Sequence, residues 1–467
     1  MNAPVTRARS SGMLEGPVGP TLFRLTLPMI MGIVSIMLIN IIDTFYIGQL
    51  GVRELAAISF TFPVVFTVMS LAFGIGIGTS SVVSRAIGQG DPTRVRRLTT
   101  YSLYLTAVLM SLISAVGLIT IEPVFTAMGA SEDMLEIIRD YMTLWYLGVG
   151  LLAIPIVGNS AIRATGDSKT PSRVMLVIAV VNAALDPFLI FGLGPFPQMG
   201  VQGAALATVI AYFFALLAGL WILGKREQML EGGFPRPQHL WESWRPVLFI
   251  GMPAALTSML APISNAILTR MVSEYGTNAV AAFGVGTRLE SLALLGVMSL
   301  SAILTPFVGQ NFGARKPDRI RDSLVFSTRF SLFWGVGACL LLASGAVPIS
   351  AIFSDADGVR ELTQLFLWSV PFSFGFYGLA MLASAACNGL HRPMQSTTIN
   401  LLRLFVLILP LAWIGSTAFG LLGIFLGIAV GNIISGLGAM FWLRRNLLPD
   451  LLLQMGVSPT PAAPTPQ

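Results

Sequence analysis

The sequence predicts an all-α integral membrane protein in which twelve transmembrane helices form two pseudo-symmetric six-helix bundles. Three observations predict this fold. Only 11% of the 467 residues are charged, whereas soluble domains carry about 25%. Apolar segments long enough to span a bilayer recur along the chain. The second half repeats many positions of the first half. Because the apolar segments cover the whole length, the pattern excludes a soluble domain with a single membrane anchor.

Twelve apolar segments are predicted to cross the membrane, six on each side of a linker rich in glycine and proline. They cover approximately residues 25–48, 55–83, 98–121, 137–160, 172–193, 202–224, 246–270, 280–308, 325–348, 361–386, 395–416 and 420–443. The predicted domains are an N-terminal segment (1–20), an N-lobe (21–224), a linker (225–245), a C-lobe (246–445) and a disordered, proline-rich tail (446–467).

Lysine and arginine are concentrated in alternate loops, for example at 94–97 and 315–321. By the positive-inside rule these loops face the cytoplasm. We therefore predict a multi-pass protein of the inner (plasma) membrane with both termini in the cytoplasm, which places Asp43 toward the outer end of its helix. Topology accounts for the net charge of +6, so no nucleic-acid partner is predicted.

An internal repeat supports the division into two lobes. A shift of 225 residues relates the early positions of the two halves, and the shift falls by a few residues farther along the chain. The matched pairs are Pro28 and Pro253, Asn40 and Asn265, Gly88 and Gly313, Pro92 and Pro317, Pro171 and Pro393, and Gly200 and Gly420. Because each half has six helices, both halves enter the membrane from the same side. This parallel repeat is typical of transporters.

Polar residues interrupt the first apolar segment at Asn40, Asp43 and Thr44. Their spacing of three and four residues places them on one face of a helix. A carboxylate inside a membrane costs about 2.5–3.5 kcal/mol on insertion scales. Asp43 is therefore either wetted at the membrane boundary or used for function.

The fifth segment carries a second carboxylate. Met175, Asn182 and Asp186 share one helix face, and Pro187 directly after Asp186 frees a backbone carbonyl. Two further polar residues, Asn159 on the fourth helix and Thr208 on the sixth, can contribute an amide and a hydroxyl.

Carboxylates, amides and a hydroxyl form an all-oxygen set that suits a proton or a hard cation such as Na⁺. The alternative is that these groups only hold helices together. The repeat favours function, because Leu268 stands opposite Asp43 and no acid stands opposite Asp186. The predicted cation site therefore belongs to the N-lobe alone.

The second half has its own charged candidates, Arg288, Glu290 and Arg403, for which a structural ion pair and a gating role remain open. The glycines at 74, 76 and 78 predict close helix packing. Two cysteines in apolar segments and two distant histidines predict neither a disulfide framework nor a metal site, and no cofactor is predicted.

Several of these motifs resemble one family. Asp43 on the first helix, the loop from Arg163 through Gly166 and Lys169 to Pro171, and the Asn182-x-x-x-Asp186-Pro187 motif are similar to those of MATE (multidrug and toxic compound extrusion) transporters, in particular the DinF-like branch. The similarity covers roughly residues 20–445.

The resemblance implies a V-shaped monomeric transporter, not an enzyme, that alternates between outward- and inward-facing states. It would export small cationic or amphipathic drugs across the bilayer in exchange for H⁺ or Na⁺. By position, Asp43, Asn159, Asn182, Asp186 and Thr208 resemble the ion site of the family's N-lobe. Asn40, Thr44 and Met175 are candidates for the substrate cavity, and Pro28 resembles the proline at which the first helix bends.

Three other functions fit these residues less well. A lipid-linked oligosaccharide flippase of the same superfamily usually has more helices or a strongly basic cavity, and only Arg288 and Arg403 are candidates here. An intramembrane aspartyl protease needs two helix-borne aspartates and a Gly-x-Gly-Asp motif, but Asp43 follows Ile-Ile and Asp186 follows Ala-Leu. A passive channel is disfavoured because no ring of like residues is evident.

Overall fold

The computed structural model describes residues 12–233, 236–447 and 449, which form helices joined by short turns, with no β-strand among them. Eleven helical stretches in this part of the chain are long and apolar enough to cross a membrane. One of them, Pro393–Leu447, has 55 residues. As one straight helix it would measure about 82 Å, more than twice the bilayer core of about 30 Å. It therefore makes two crossings, and the prediction of a twelve-helix membrane protein is confirmed.

Each of the first six crossings is one helix. They are α1 (Val18–Leu50), α2 (Val52–Gln89), α3 (Pro92–Ala127), α4 (Glu132–Ala164), α5 (Lys169–Phe191) and α6 (Val201–Trp221). Local sequence explains where α3 begins. At the start of α3, the Asp91 side chain accepts a hydrogen bond from the Arg94 N–H at 2.9 Å, and Pro92 occupies the first turn.

The last six crossings are more often interrupted. They are built from α7 (Pro237–Ser273), α8 (Thr277–Ala293), α9 (Leu295–Gly313), α10 (Pro317–Ser344), α11 (Ala346–Phe353), α12 (Asp357–Ser369), α13 (Phe374–Gly389), α14 (Pro393–Leu401) and α15 (Leu409–Trp442). The eighth, ninth and tenth crossings each consist of two helices in sequence. Helix α7 begins at Pro237, so the predicted linker 225–245 is helical at its end. Of the predicted tail, only 446, 447 and 449 are described.

The chain divides into two compact units, each with its own core. The first comprises Met1–Met259, Thr305–Gly313 and Asn388–Pro393, and the second comprises Leu260–Leu304, Ala314–Cys387 and Met394–Gln467. In the first unit, Trp145 and Phe125 are among the largest buried side chains. In the second, the rings of Phe283, Phe366 and Phe425 pack together, with centroids 5.1 to 6.5 Å apart. The predicted lobe boundaries remain a prediction.

Glycines let helices of the first unit approach closely. A β-carbon at Gly74 or Gly78 of α2 would overlap the backbone of α7 at Gly251 or Val247. Gly76, on another face of α2, leaves room for Ser160 of α4. The prediction that these alternate glycines serve helix packing is thus confirmed. Packing of this kind replaces the hydrophobic effect, which does not drive helix association in lipid.

The internal repeat is visible in the backbone. Gly420 has φ 61° and ψ −139°, and its predicted partner Gly200 has φ 55° and ψ −129°. Only glycine adopts this region readily. At Gly420 the chain reverses, because Gly415 and Gly423 touch backbone to backbone on either side of it. The eleventh and twelfth crossings are therefore an antiparallel hairpin.

A histidine in the turn between Gly389 and Pro393 is expected to make stability depend on pH. Burial and the nearby charges of Arg85 and Arg94 lower the pKa of His391 from 6.5 to about 4. The unfolded chain therefore takes up a proton first as the pH falls. Stability is complete above pH 6.5 and declines between pH 6.5 and about 4, by at most about 3 kcal/mol.

Thermal unfolding of the detergent-purified protein at pH 7.5, 6, 5 and 4.5 measures this effect. His391→Asn is expected to flatten the decline, because asparagine is uncharged and tolerates the φ of 61° found at this position. His239→Asn changes the other of the two histidines and is the control. Equal pH profiles for the two variants would contradict the assignment.

Candidate functional site

The core of the candidate site lies on α5. Asn182 and Asp186 are one helical turn apart, and both are completely buried. The Asn182 Nδ2 donates to the Asp186 Oδ1 at 3.5 Å and to the Thr208 Oγ1 of α6 at 3.2 Å. The structure thus brings together three of the five residues predicted for the cation site.

Asp43 of α1 completes this group. Its side chain is partly exposed and lies close to both Asp186 and Asn182. The same two helices also pack closely nearer to their N-termini, where Gly32 of α1 lies against Ser172 and Met175 of α5. Two carboxyl groups from different helices therefore meet within one unit, next to an amide and a hydroxyl.

The oxygen atoms of this group lack donors. Among the described residues, no hydrogen bond reaches the buried Asp43 Oδ1, Asn182 Oδ1 or Asp186 Oδ2. A buried polar atom without a partner costs about 1–3 kcal/mol. All three atoms are acceptors, so only a positive or proton-bearing species can satisfy them. Carboxylate and amide oxygens are also the ligands that hard cations prefer.

Two other predicted residues are buried or packed farther away. Asn159 of α4 is 4% exposed, and its Oδ1 also has no partner, but no hydrogen bond in the described helices joins it to either aspartate. Met175 packs against Gly32. It lies eleven residues from Asp186, or about 16 Å along α5.

The remaining residues of the first helix bond to their own backbone. The Asn40 Nδ2 donates to the Ile36 carbonyl at 3.0 Å, and the Thr44 Oγ1 donates to the Asn40 carbonyl at 2.7 Å. Both side chains are exposed. Pro28 lies inside α1 and removes the N–H that would bond the carbonyl of Arg24. A role for Asn40 and Thr44 in a substrate cavity stays a prediction, as does bending at Pro28.

Two tyrosines within range of the charge on the carboxylates were not predicted from the sequence. Tyr141 of α4 and Tyr212 of α6 lie close enough to Asp43 to experience its charge. Each phenol can donate a hydrogen bond to a carboxylate. Each tyrosine places a hydroxyl group within an otherwise apolar segment, and this feature could have identified both from the sequence. The residues predicted for the cation site were only charged and amide side chains and Thr208.

The charged candidates of the second unit occupy different environments. Arg288 is exposed, whereas Glu290 is partly buried and Arg403 is 4% exposed. Arg403 donates from Nη1 to the Asn432 Oδ1 at 3.0 Å, and its guanidinium carbon lies 3.9 Å from the centroid of the Tyr377 ring. These contacts of Arg403 with Asn432 and Tyr377 were not predicted from the sequence.

Twelve crossings in two repeated halves, with buried carboxyl groups in one of them, define a membrane transporter. The MatE family model matches residues 28–188 and 253–414, one match in each half. The chain therefore belongs to the MatE family, whose members are transporters rather than enzymes. The predicted family is confirmed, while the DinF-like branch stays a prediction.

Relatives match along nearly the whole chain. The FAD transporter of Shewanella oneidensis is 40% identical over 434 residues, which cover 93% of this chain and 96% of that protein. The probable multidrug resistance protein YoeA of Bacillus subtilis is 27% identical and covers 81% of this chain and 83% of its own. The bent form of the Vibrio cholerae MATE transporter VcmN superposes with a TM-score of 0.89 at 31% identity, covering 96% and 99%.

Proposed function

We propose that this protein is a secondary active exporter that exchanges small amphipathic or cationic organic molecules for H⁺ or Na⁺ by alternating access. The observation that carries the proposal is the set of buried acceptor atoms of Asp43, Asn182 and Asp186 that have no donor. Such a set binds one positive species and pays a penalty without it.

The proposed coupling follows from charge. Binding of H⁺ or Na⁺ between Asp43 and Asp186 reduces the repulsion between the two carboxylates and supplies the missing partner of their oxygen atoms. Because Asp43 stands on α1 and Asp186 on α5, the ion changes the interaction between two helices. Export is coupled to the ion if the ion and the exported molecule stabilise different conformations.

The proposal includes the location, the topology and the oligomeric state of the protein. The distribution of lysine and arginine supports an inner-membrane protein with cytoplasmic termini. The protein would act as a monomer within the lipid bilayer, without nucleic acid or a bound cofactor.

Imposed gradients test the coupling. Proteoliposomes are loaded with ethidium, and its movement is followed with a pH gradient alone, a Na⁺ gradient alone, or both. We expect one gradient to accelerate transport at least about tenfold, because an antiporter moves its substrate uphill only against its coupling ion. Equal transport with no gradient, with either gradient and with an ionophore would contradict secondary active exchange.

A second candidate is the export of a flavin dinucleotide. It is supported by 40% identity to a protein named FAD transporter over nearly the full length of both chains. The same proteoliposomes, loaded with FAD instead of ethidium, compare the two candidates directly. Transport of FAD together with no transport of ethidium would favour the dinucleotide.

A further inference from the structure

The second unit contains a small, partly enclosed polar chamber that the proposed coupling does not use. Its volume is about 70 Å³, several times the space that one water molecule needs. Five of the last six crossings contribute to its walls. The lining residues include Ser264, Asn265, Leu268, Thr287, Glu290, Tyr377, Arg403, Ile408, Ile428 and Asn432.

This chamber is the counterpart of the carboxylate site in the first unit. The residues that the repeat places opposite Asp43, Asp186 and Thr208 are Leu268, Ile408 and Ile428, at shifts of 225, 222 and 220 residues. All three line the chamber. The repeat thus places three apolar side chains in this chamber where the first unit has two carboxyl groups and a hydroxyl group.

A buried positive charge stands in the chamber instead. Arg403 contacts the neutral Asn432 and the ring of Tyr377, and its Nε has no hydrogen-bond partner. None of the ion pairs in the described part of the chain includes Arg403. An arginine that is buried without a directly paired anion carries a large desolvation cost. The guanidinium group is also the side chain best matched to carboxylate and phosphate oxygens.

Two further groups shape the selectivity of the chamber. Ser264 is 1% exposed, and its hydroxyl has no partner, so it offers a second donor beside the Arg403 Nε. Glu290 is partly exposed and lies near enough to Arg403 to interact with it across the chamber. An anion that enters would therefore be attracted by Arg403 and repelled by an ionised Glu290.

We propose that this chamber binds an acidic group, a carboxylate or a phosphate, with Arg403 and Ser264 as its donors and Glu290 as its competitor. The group belongs either to the exported molecule or to a free anion. The inference rests on the proposed exporter only for the identity of that molecule. Binding is measured at equilibrium without a gradient, so its failure is separate from a failure of ion coupling.

Equilibrium binding to the purified full-length protein tests the proposal. The probes are FAD, which carries a diphosphate, riboflavin, which carries none, and inorganic pyrophosphate. We expect Arg403→Gln to weaken FAD binding about tenfold, in line with the loss of a charged hydrogen bond, and to change riboflavin binding less than twofold. Arg403→Lys should retain part of the affinity.

Glu290→Gln is expected to strengthen FAD binding about threefold or more, because it removes the competing negative charge. This gain distinguishes a binding site from a structural ion pair, and it does not depend on the fold of the arginine variants. Arg288→Gln, at an exposed position two residues away, is the control and should change nothing.

The probes also separate the two sources of the acidic group. Pyrophosphate binding that Arg403→Gln weakens, with FAD binding unchanged, assigns the chamber to a free oxyanion, whereas FAD binding that Arg403→Gln weakens and pyrophosphate displaces assigns it to the exported molecule. The proposal is wrong if the wild-type protein binds neither FAD nor pyrophosphate. It is equally wrong if Arg403→Gln and Glu290→Gln leave both affinities unchanged.

Discussion

Asp43→Asn is expected to reduce gradient-driven export of ethidium to the level of protein-free vesicles, a loss of at least about tenfold. Asparagine has nearly the shape of aspartate but takes up no proton and carries no charge. It therefore leaves Asp186 without its carboxylate neighbour on α1. The loss should be the same whether a pH gradient or a Na⁺ gradient drives transport, because both ions would need the same pair of carboxylates.

The control for this prediction is Asp133→Asn. Asp133 is 82% exposed and pairs with Arg53 at 3.8 Å on the surface, where such a contact contributes about 0–1 kcal/mol. Its replacement should leave transport unchanged. Size-exclusion profiles establish that both variants are folded. If Asp43→Asn retains both export and its dependence on the gradient, Asp43 is only a wetted residue at the membrane boundary.

The polar part of the candidate site could be predicted from sequence because helical spacing is regular. Residues four apart share a face, so Asn182 and Asp186 had to lie together once their helix formed. Their contact with Asp43 is different, since nothing in the spacing of α1 and α5 fixes which helices are neighbours. That expectation came from the shared chemistry of the polar residues and from the resemblance to a family, and the structure places Asp43 close to both Asp186 and Asn182.

Other parts of the site could not be predicted because they depend on packing. Tyr141 and Tyr212 lie in apolar segments whose inward face cannot be identified from a membrane sequence, where lipid-facing and buried positions are equally apolar. The chamber around Arg403 was hidden for a related reason. The repeat identified Leu268 as the counterpart of Asp43, but only the three-dimensional packing shows that Leu268 lines a polar cavity.

The sequence predicted the number of membrane crossings but not the interruptions within individual crossings. A window of about 19 residues averages over a single disrupted turn. The interruptions at Leu294, Gly345 and Val370, which divide the eighth, ninth and tenth crossings, were therefore invisible. The boundary predicted between residues 416 and 420 does lie at a reversal of the chain, where Gly420 adopts a positive φ, as its repeat partner Gly200 does.

Gly423→Ala is expected to destabilise the hairpin of the last two crossings more than any surface substitution. The β-carbon of an alanine at this position would overlap the carbonyl group of Gly415 on the facing helix. Because the obstacle is backbone, no side chain can rotate away and the two helices must separate. Overpacking of this kind costs about 1–3 kcal/mol, and we expect the variant to show a clearly lower unfolding temperature and a reduced yield of monodisperse protein.

Gly438→Ala is the matched control, since Gly438 lies on the same helix and nothing stands within 4 Å of the β-carbon that would be added. Alanine favours a helix over glycine by about 1 kcal/mol, so this variant should be neutral or stabilised. The repeat extends the prediction to Gly203→Ala, whose β-carbon would overlap the backbone of Leu189. Both glycines follow a reversal of the chain by three residues, and both substitutions should fail for the same steric reason. Unfolding temperatures of Gly423→Ala and Gly203→Ala equal to that of Gly438→Ala would show that the close backbone contact is not needed in either half.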